Sequence, residues 1–306
     1  MSPERSAYSF FRGILATMRP IQWTKNAFVL VPVFFAWWDR SQSVSLFDGL
    51  SAAGPAALLF CIVSSGVYTL NDIADAPSDR NHPEKRFRPV ASARLSIAGA
   101  WGLALILLAA GCAGAWLLSY RFYVVVSVYV VIQMLYSLYL KRIPMLDVFV
   151  ISSGFVLRAL GGAVVLKDII ISPWLLLCTF LLALFLALCK RRHEKASTGN
   201  FGRPQRTSLS GYDIKLLDQL IAITAAAVIV SYAIYTLWPQ TVRKFGTSAL
   251  GLTVPFVVFG VFRYLYLVYR RHRGDKPERL LFTDIPLLAD ILLYALTVGA
   301  VLSFPP

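Results

Sequence analysis

The stretch from Ala52 to Pro89 reads AAGPAALLFCIVSSGVYTLNDIADAPSDRNHPEKRFRP and joins an apolar half to a charged half. The apolar half, which ends at Leu70, is about 19 residues long, close to the roughly 20 residues that a helix needs to cross a bilayer. The charged half begins with carboxylate and carboxamide side chains and continues with basic ones. The stretch therefore predicts a membrane-spanning helix that ends in a chemically active segment.

The whole chain has the composition of an integral membrane protein. Of its 306 residues, 57% are hydrophobic and only 15% are charged, which excludes a soluble domain with a single core. The net charge of +14 does not indicate nucleic-acid binding, because the basic residues lie in short segments between apolar runs. The four cysteines match no zinc or redox spacing, and no removable signal peptide is evident.

Apolar runs of spanning length recur along the sequence and predict an all-α, multi-pass membrane protein. The predicted spans cover about residues 14–38, 52–72, 96–118, 122–140, 144–165, 172–190, 217–238, 248–269 and 285–304. In the first of them, Pro32 is expected to kink the helix. We expect these nine helices to form one membrane domain over residues 1–306, and the sequence leaves open whether it forms homo-oligomers.

The distribution of basic residues predicts the orientation in the membrane. One set of alternate loops, together with the N-terminus, holds 23 of the 30 Lys and Arg residues, whereas the opposite set holds 5. Because Lys and Arg concentrate in cytoplasmic loops, the N-terminus is predicted to be cytoplasmic. The segment after Leu70 then faces the cytoplasm, which predicts a cytoplasm-facing site in the cytoplasmic (inner) membrane.

The acidic part of that segment is a candidate Mg²⁺ site. Asp75 lies three residues after Asp72 and four after Asn71, so on a helix the three side chains project to nearly the same face. Asp79 continues the spacing, but Pro77 disfavours helical geometry at the preceding residue, so Asp79 is expected on a loop. The alternative is a solvated helix end, which the helix dipole disfavours because a C-terminus prefers cations.

Basic residues follow at once and suit a diphosphate group. They are Arg80, Lys85, Arg86 and Arg88, together with His82. His82 is either a proton donor to a leaving diphosphate or a structural loop residue. The alternative for the whole cluster is the ordinary positive charge of a cytoplasmic loop.

Two charged residues lie inside the fifth predicted span. Arg158 falls about 14 residues after Pro144, roughly 20 Å along the helix, where a charge is costly unless it is paired or hydrated. Asp147 lies almost on the same helical face, so the two line one cavity or form an internal ion pair. Glycines and serines of this span permit close helix approach.

Further polar residues recur at the predicted cytoplasmic ends of other spans and are candidates for binding a phosphorylated substrate. They are Lys25, Asn26, Tyr136, Lys141, Lys190 and Arg191. Each is alternatively a snorkelling residue at the membrane surface. The loop Ala196 to Gly211 is either a cover for such a site or a plain connector.

The motifs RPIQWTKN, NDIADAPSDRNHPEKRFRP, YSLYLKR, SGFVLRALGGA, KRRHE and PERLLFTD together resemble those of the UbiA superfamily of membrane prenyltransferases. The resemblance covers roughly Arg19 to Asp290. It implies the nine-helix UbiA fold around a cytoplasm-facing cavity and a Mg²⁺-dependent transferase. Two of the motifs, SGFVLRALGGA and KRRHE, are similar to those of the branch that transfers phosphoribosyl groups to polyprenyl phosphate.

Prenyl-transferring members of the superfamily carry a second motif, DxxxD, after the sixth span, where this chain has Asp213 and Asp218 five residues apart. That departure argues against an isoprenyl diphosphate donor. The resemblance implies 5-phosphoribosyl 1-diphosphate as donor and a long polyprenyl phosphate as acceptor, with a product used for lipid-linked arabinose or ribose in the cell envelope. An aromatic prenyltransferase that uses an isoprenyl diphosphate is the main alternative. A transporter is the second.

Overall fold

The computed structural model describes residues 13–39, 44–81, 83, 85–166, 172–197, 207–271, 280 and 283–303. The α-helices are α1 (Val31–Trp37), α2 (Leu46–Asp79), α3 (Ile97–Leu118), α4 (Tyr120–Leu138), α5 (Leu146–Val164), α6 (Pro173–Ser197), α7 (Ile214–Leu237), α8 (Pro239–Phe245), α9 (Val254–Arg270) and α10 (Ile285–Ser303). A 3-10 helix, Pro20–Val29, precedes α1. Every regular element in these ranges is helical, which confirms the all-α prediction for them.

Eight helices in the described part of the chain are long and apolar enough to cross a membrane, and they correspond to the second to ninth predicted spans. Eight helices of this length and composition are typical of a multi-pass membrane protein. The first predicted span along the chain is not confirmed. The orientation of the protein in the membrane and the description of residues 1–306 as one domain stay predictions.

The first predicted span is not one continuous α-helix. Residues Pro20–Val29 are 3-10 helical, and α1 starts afresh at Val31. Pro32 therefore lies in the first turn of α1, where its missing N–H removes no helical hydrogen bond. The prediction that Pro32 kinks a long helix is wrong, because the helix is interrupted before the proline.

The helix α2 continues through Pro77 to Asp79, although the sequence predicts a break at Ala76. Pro77 lies in the last turn, so it removes a single intrahelical hydrogen bond. The Arg80 N–H still donates to the carbonyl of Ala76 at 3.2 Å, and Ala76 is buried in an apolar cluster. Asp79 is therefore the last residue of the helix, seven residues after Asp72 and on the same face.

The first of two compact units comprises Met1–Phe34, Ser45–Leu140 and Leu157–Ile169. Its main apolar cluster consists of Val29, Ala56, Phe60, Val63, Val67, Ala115, Phe122, Val125, Val126 and Tyr129. Phe60 lies at its centre, with edge contacts to the rings of Phe122 and Tyr129 at centroid distances of 5.6 and 5.5 Å. This packing fixes α2 and α4 together and so positions the charged end of α2.

Two glycines of α5 allow this core to close. A Cβ atom on Gly162 would lie 1.8 Å from the carbonyl oxygen of Val29, and one on Gly161 would lie 2.5 Å from the ring of Phe60. The backbone of α5 thus lies directly against the end of the 3-10 helix. This contact confirms that small residues of this segment serve close helix approach.

We expect Gly162→Ala to lower the free energy of unfolding by about 1–3 kcal/mol, because the added methyl group overlaps backbone atoms that have to move. The measurement is the thermal-unfolding midpoint of the purified protein in detergent. Gly102→Ala is the matched control, since a Cβ there meets nothing within 4 Å. Equal midpoints for the two variants would contradict the close contact with Val29.

The second compact unit comprises Phe35–Val44, Lys141–Val156 and Ile170–Pro306. Its largest apolar cluster joins α6, α7 and α9 through Leu184, Phe185, Leu188, Leu217, Ile221, Val261, Tyr264 and Leu267, among others. Leu209 and Tyr212, from the segment before α7, are buried in the same cluster. The core therefore extends into the connection between α6 and α7, whose residues 198–206 lie outside the described ranges.

Candidate functional site

The segment Arg19–Asn26, which we call the strap, lies along α2 in the antiparallel direction. Trp23 Nε1 donates to Ser65 Oγ at 3.1 Å, and Asn26 Nδ2 donates to Ser64 Oγ at 3.2 Å. Because Trp23 contacts a later residue of α2 than Asn26 does, the start of the strap reaches further still toward the C-terminal end of that helix. Arg19 accordingly meets Asp72.

Four side chains form an acid–arginine cluster at this end of α2: Asp72, Asp79, Arg19 and Arg88. Arg19 donates to Asp72 Oδ1, and Arg88 NH1 lies 3.2 Å from the same oxygen and 2.7 Å from Asp79 Oδ2. The two carboxylates are 2% and 4% exposed, whereas the arginine side chains are 23% and 27% exposed. The cluster is therefore an almost buried acidic pair covered by two partly solvated cations.

The loop after α2 holds Arg88 in place through its backbone. The Ser92 N–H donates to the Arg88 carbonyl at 2.9 Å, and Arg94 donates to the carbonyl of Phe87 at 2.6 Å. Of the other predicted diphosphate ligands, Arg80 and Arg86 are exposed and Lys85 is half-buried. His82 lies outside the described residues, so its predicted role stays open.

The donor set at the end of α2 fits Mg²⁺ in chemistry. Carboxylate and amide oxygens are the ligands that Mg²⁺ prefers. Asp72 and Asp79 both contact the same cationic nitrogen, NH1 of Arg88. Asn71 and Asp75 are half-buried in the same two turns. Within the described ranges no three His, Cys, Asp or Glu side chains approach closely enough to hold a metal by themselves. A metal here would need the Asn71 amide, water or substrate oxygens to complete its shell.

Arg158 is buried beside the strap. Its Nε donates to Asn26 Oδ1 at 2.7 Å, and its NH2 donates to the Tyr129 hydroxyl at 2.9 Å, with the guanidinium 4.9 Å from the Tyr129 ring centroid. Asn26 is thus the link between α2 and Arg158. The structure brings two predicted site residues, Asn26 and Arg158, into direct contact.

The second unit contains a separate buried ion pair between Asp147 and Arg191. Arg191 Nε donates to Asp147 Oδ2 at 2.7 Å, the Tyr212 hydroxyl donates to Oδ1 at 2.6 Å, and Ser208 donates to Oδ2 at 3.1 Å. Burial and the neighbouring carboxylate raise the pKa of the Tyr212 hydroxyl above its ordinary value, which keeps it a donor. Arg191 is 2% exposed, so the pair holds the segment before α7 against α5 and α6.

The remaining predicted substrate-binding residues are half-buried: Lys25, Tyr136, Lys141 and Lys190. Their roles stay predictions. Asp218, the second acid after the sixth span, accepts from Arg192 Nε at 2.5 Å and from the Tyr269 hydroxyl at 2.8 Å. Asp213 is exposed at the start of α7. These two acids do not form a second acidic pair.

Sequence reasoning missed Arg19, Trp23, Tyr129 and Tyr212 as members of these clusters. Arg19 and Trp23 belong to the RPIQWTKN motif, but an arginine and a tryptophan at the start of a span are usually membrane-surface anchors. Only the antiparallel contact with α2 reveals their partners. Tyr129 and Tyr212 gave no signal, because their partners lie 29 and 65 residues away.

The sequence pattern of the UbiA prenyltransferase family matches residues 29–285, which is most of this chain. The protein therefore belongs to the UbiA prenyltransferase family. The family membership confirms the resemblance drawn from the motifs.

Curated relatives and solved structures agree with this assignment. The chain is 31% identical over 299 residues to decaprenyl-phosphate phosphoribosyltransferase of Mycolicibacterium smegmatis, covering 95% of this chain and 93% of the relative. It is 34% identical over 239 residues to the protein of the same name in Corynebacterium glutamicum, covering 78% and 70%. A UbiA homologue from Archaeoglobus fulgidus, solved with GPP and Mg²⁺, superposes with a TM-score of 0.70 at 19% identity, covering 95% of this chain and 100% of that one.

Proposed function

We propose that this protein transfers a 5-phosphoribosyl group from 5-phosphoribosyl 1-diphosphate to a long-chain polyprenyl phosphate and releases diphosphate. The observation that carries the proposal is the identity of 31% to a decaprenyl-phosphate phosphoribosyltransferase across 95% of the chain. The acid–arginine cluster supports it, because it combines oxygen ligands for Mg²⁺ with guanidinium groups for phosphate.

The cluster is suited to a departing diphosphate. Arg19 and Arg88 are forked donors that match phosphate geometry, and both reach solvent. Asp72 and Asp79, with Asn71 and Asp75, would hold Mg²⁺, which when bound neutralises charge that develops on the leaving group. Arg80, Lys85 and Arg86 lie on the same loop and would contribute further positive charge.

In the proposed reaction a phosphate oxygen of the lipid attacks the anomeric carbon of the ribosyl group. The new C–O bond forms as the bond to the diphosphate oxygen breaks, and diphosphate leaves with the electron pair. The second pKa of a phosphate monoester is about 6, so the acceptor is already largely dianionic at pH 7 and needs no general base. Oxocarbenium character at the anomeric carbon is expected, as in other glycosyl transfers.

The contacts of Asp218 support a phosphoribosyl donor over an isoprenyl diphosphate. An enzyme that holds its donor through two acidic motifs needs a second pair of carboxylates that can bind metal. In this protein Asp218 forms an ion pair with Arg192 and accepts a hydrogen bond from Tyr269, while Asp213 is exposed. Residues 198–206, between these acids and α6, contain no Asp or Glu. We further propose that the N-terminus and the end of α2 face the cytoplasm, where the donor is available.

The proposal is tested by incubating the purified protein with Mg²⁺, a polyprenyl phosphate and donor labelled in the ribosyl moiety. We expect label in the lipid fraction and one diphosphate released for each lipid labelled. Omitting the lipid phosphate is the control for hydrolysis of the donor. The proposal fails if no labelled lipid forms while the same protein, in a parallel incubation with an isoprenyl diphosphate and an aromatic acceptor, consumes both.

A further inference from the structure

The acid–arginine cluster has no net formal charge. Two carboxylates, Asp72 and Asp79, face two guanidinium groups, Arg19 and Arg88. A divalent ion added alone would bring two positive charges that these four side chains do not compensate, next to carboxylates that are 2% and 4% exposed. Placing excess charge in such a poorly hydrated position is unfavourable.

The position of Arg88 also conflicts with a bound metal. One nitrogen of Arg88 lies 3.2 Å from Asp72 Oδ1 and 2.7 Å from Asp79 Oδ2, between the two carboxylates. Mg²⁺ binds carboxylate oxygens at about 2.0–2.1 Å and would have to occupy that same space. Metal binding to both carboxylates therefore requires the Arg88 side chain to leave.

Arg19 is held on Asp72 by the backbone of the strap. Its φ and ψ angles are 53° and 62°, in the left-handed region, although it is not a glycine and precedes Pro20. Such a conformation costs about 1–3 kcal/mol and persists only where surrounding contacts fix it. Those contacts are the hydrogen bonds of Trp23 and Asn26 to α2 and the ion pair itself.

We propose that Arg19 and Arg88 are internal counter-cations that exclude Mg²⁺ from the acidic pair until a diphosphate group arrives. The diphosphate would draw the two guanidinium groups onto its own oxygens, freeing Asp72 and Asp79 for the metal and compensating the added charge. Metal and diphosphate then bind cooperatively, and neither binds well alone. This inference rests on the proposed function only in taking the donor's diphosphate as the ligand.

The test is equilibrium dialysis of Mn²⁺ against the full-length protein in detergent, with and without inorganic diphosphate. The concentrations of free Mn²⁺ and of its diphosphate complex become equal on the two sides of the dialysis membrane. The excess Mn²⁺ on the protein side is therefore the bound metal. We expect wild-type protein to bind Mn²⁺ at least about tenfold more tightly with diphosphate than without it, within the usual range of coupling between sites. Protein-free micelles correct for metal that binds detergent.

Arg88→Gln is expected to raise the affinity for Mn²⁺ alone by about tenfold and to abolish most of the enhancement by diphosphate. Arg88→Lys keeps the charge and should keep the weak binding of metal alone, but its single ammonium should reduce the enhancement. Arg142→Gln, which removes the same charge from an exposed position, should behave as wild type. Gel filtration establishes that each variant is folded, and Arg19→Gln supplies an independent variant if Arg88→Gln is not.

The inference is overturned if wild-type protein binds Mn²⁺ equally well with and without diphosphate, or if neither Arg88→Gln nor Arg19→Gln changes the binding of metal alone. Its failure is distinct from failure of the proposed function. Cooperative binding without transfer of a ribosyl group would refute the proposed reaction alone. Transfer without cooperative binding would refute the counter-cation role alone.

Discussion

Asp72→Asn is expected to lower kcat/KM by at least about 100-fold, which corresponds to about 3 kcal/mol of transition-state stabilisation. Asp72 is the buried acid to which both arginines of the cluster are directed, so it orients the groups that would meet the leaving diphosphate. Removing its negative charge also removes a ligand for the proposed metal. The substitution preserves volume and one acceptor oxygen, so we expect the fold to survive.

The measurement is the initial rate of transfer with saturating lipid phosphate, alongside the thermal-unfolding midpoint in detergent. Asp213→Asn is the matched control, because Asp213 is exposed at the start of α7 and makes no side-chain capping bond. It should retain full activity. Near-normal activity of Asp72→Asn would refute the assignment of this acid to the site.

Arg191→Met is expected to lower the free energy of unfolding by about 3–5 kcal/mol, because it leaves a buried charge without its partner. Asp147 is fully buried and accepts hydrogen bonds from the side chains of Arg191, Tyr212 and Ser208. Without the guanidinium, the carboxylate keeps two neutral donors and loses the counter-charge that Arg191 supplies. The double variant Asp147→Leu/Arg191→Met should lose less stability than Arg191→Met alone, since the buried carboxylate is removed together with its partner.

The neighbouring residue supplies the control. Arg192 pairs with Asp218, but these side chains are 15% and 36% exposed, so Arg192→Met should cost no more than about 1 kcal/mol. Thermal midpoints of the three variants in the same detergent decide the comparison. If Arg191→Met lowers stability no more than Arg192→Met does, the structural role of the Arg191–Asp147 pair is refuted, and substrate binding by Arg191, as the sequence predicts, becomes the better account.

Much of the fold could be read from the sequence, because long apolar segments have few alternatives in a bilayer. Eight predicted spans have corresponding helices, with ends that shift by a few residues. The largest shifts are at α2, which begins at Leu46 and ends at Asp79 instead of spanning about residues 52–72, and at the end of α6, which reaches Ser197 instead of about residue 190. Composition predicts the apolar part of a helix, whereas capping and packing decide where the helix ends.

The failures have identifiable physical causes. A rule about proline predicted a break at Ala76, but a proline in the last turn removes only one hydrogen bond and Ala76 is held by packing. The apolar composition of the first segment predicts one continuous helix, yet its polar residues dock on α2 and the helix is interrupted. Local sequence rules do not contain such tertiary partners.

The same limit applies to the candidate site. Spacing along α2 grouped Asn71, Asp72 and Asp75, and the structure adds that Asp72 and Asp79 share Arg88. Spacing along the fifth segment paired Asp147 with Arg158 as one possibility, whereas the partner of Asp147 is Arg191. Interactions within one helix follow from periodicity, but a partner on another element does not.

The most direct test of the proposed reaction offers the protein both classes of substrate at once. A single incubation with Mg²⁺ would contain 5-phosphoribosyl 1-diphosphate, an isoprenyl diphosphate, a polyprenyl phosphate and an aromatic acceptor. The products would be separated and identified by mass spectrometry. The account predicts a polyprenyl phosphate that has gained one phosphoribosyl group, and an aromatic acceptor that is unchanged. A prenylated aromatic product together with an unmodified lipid phosphate would contradict it.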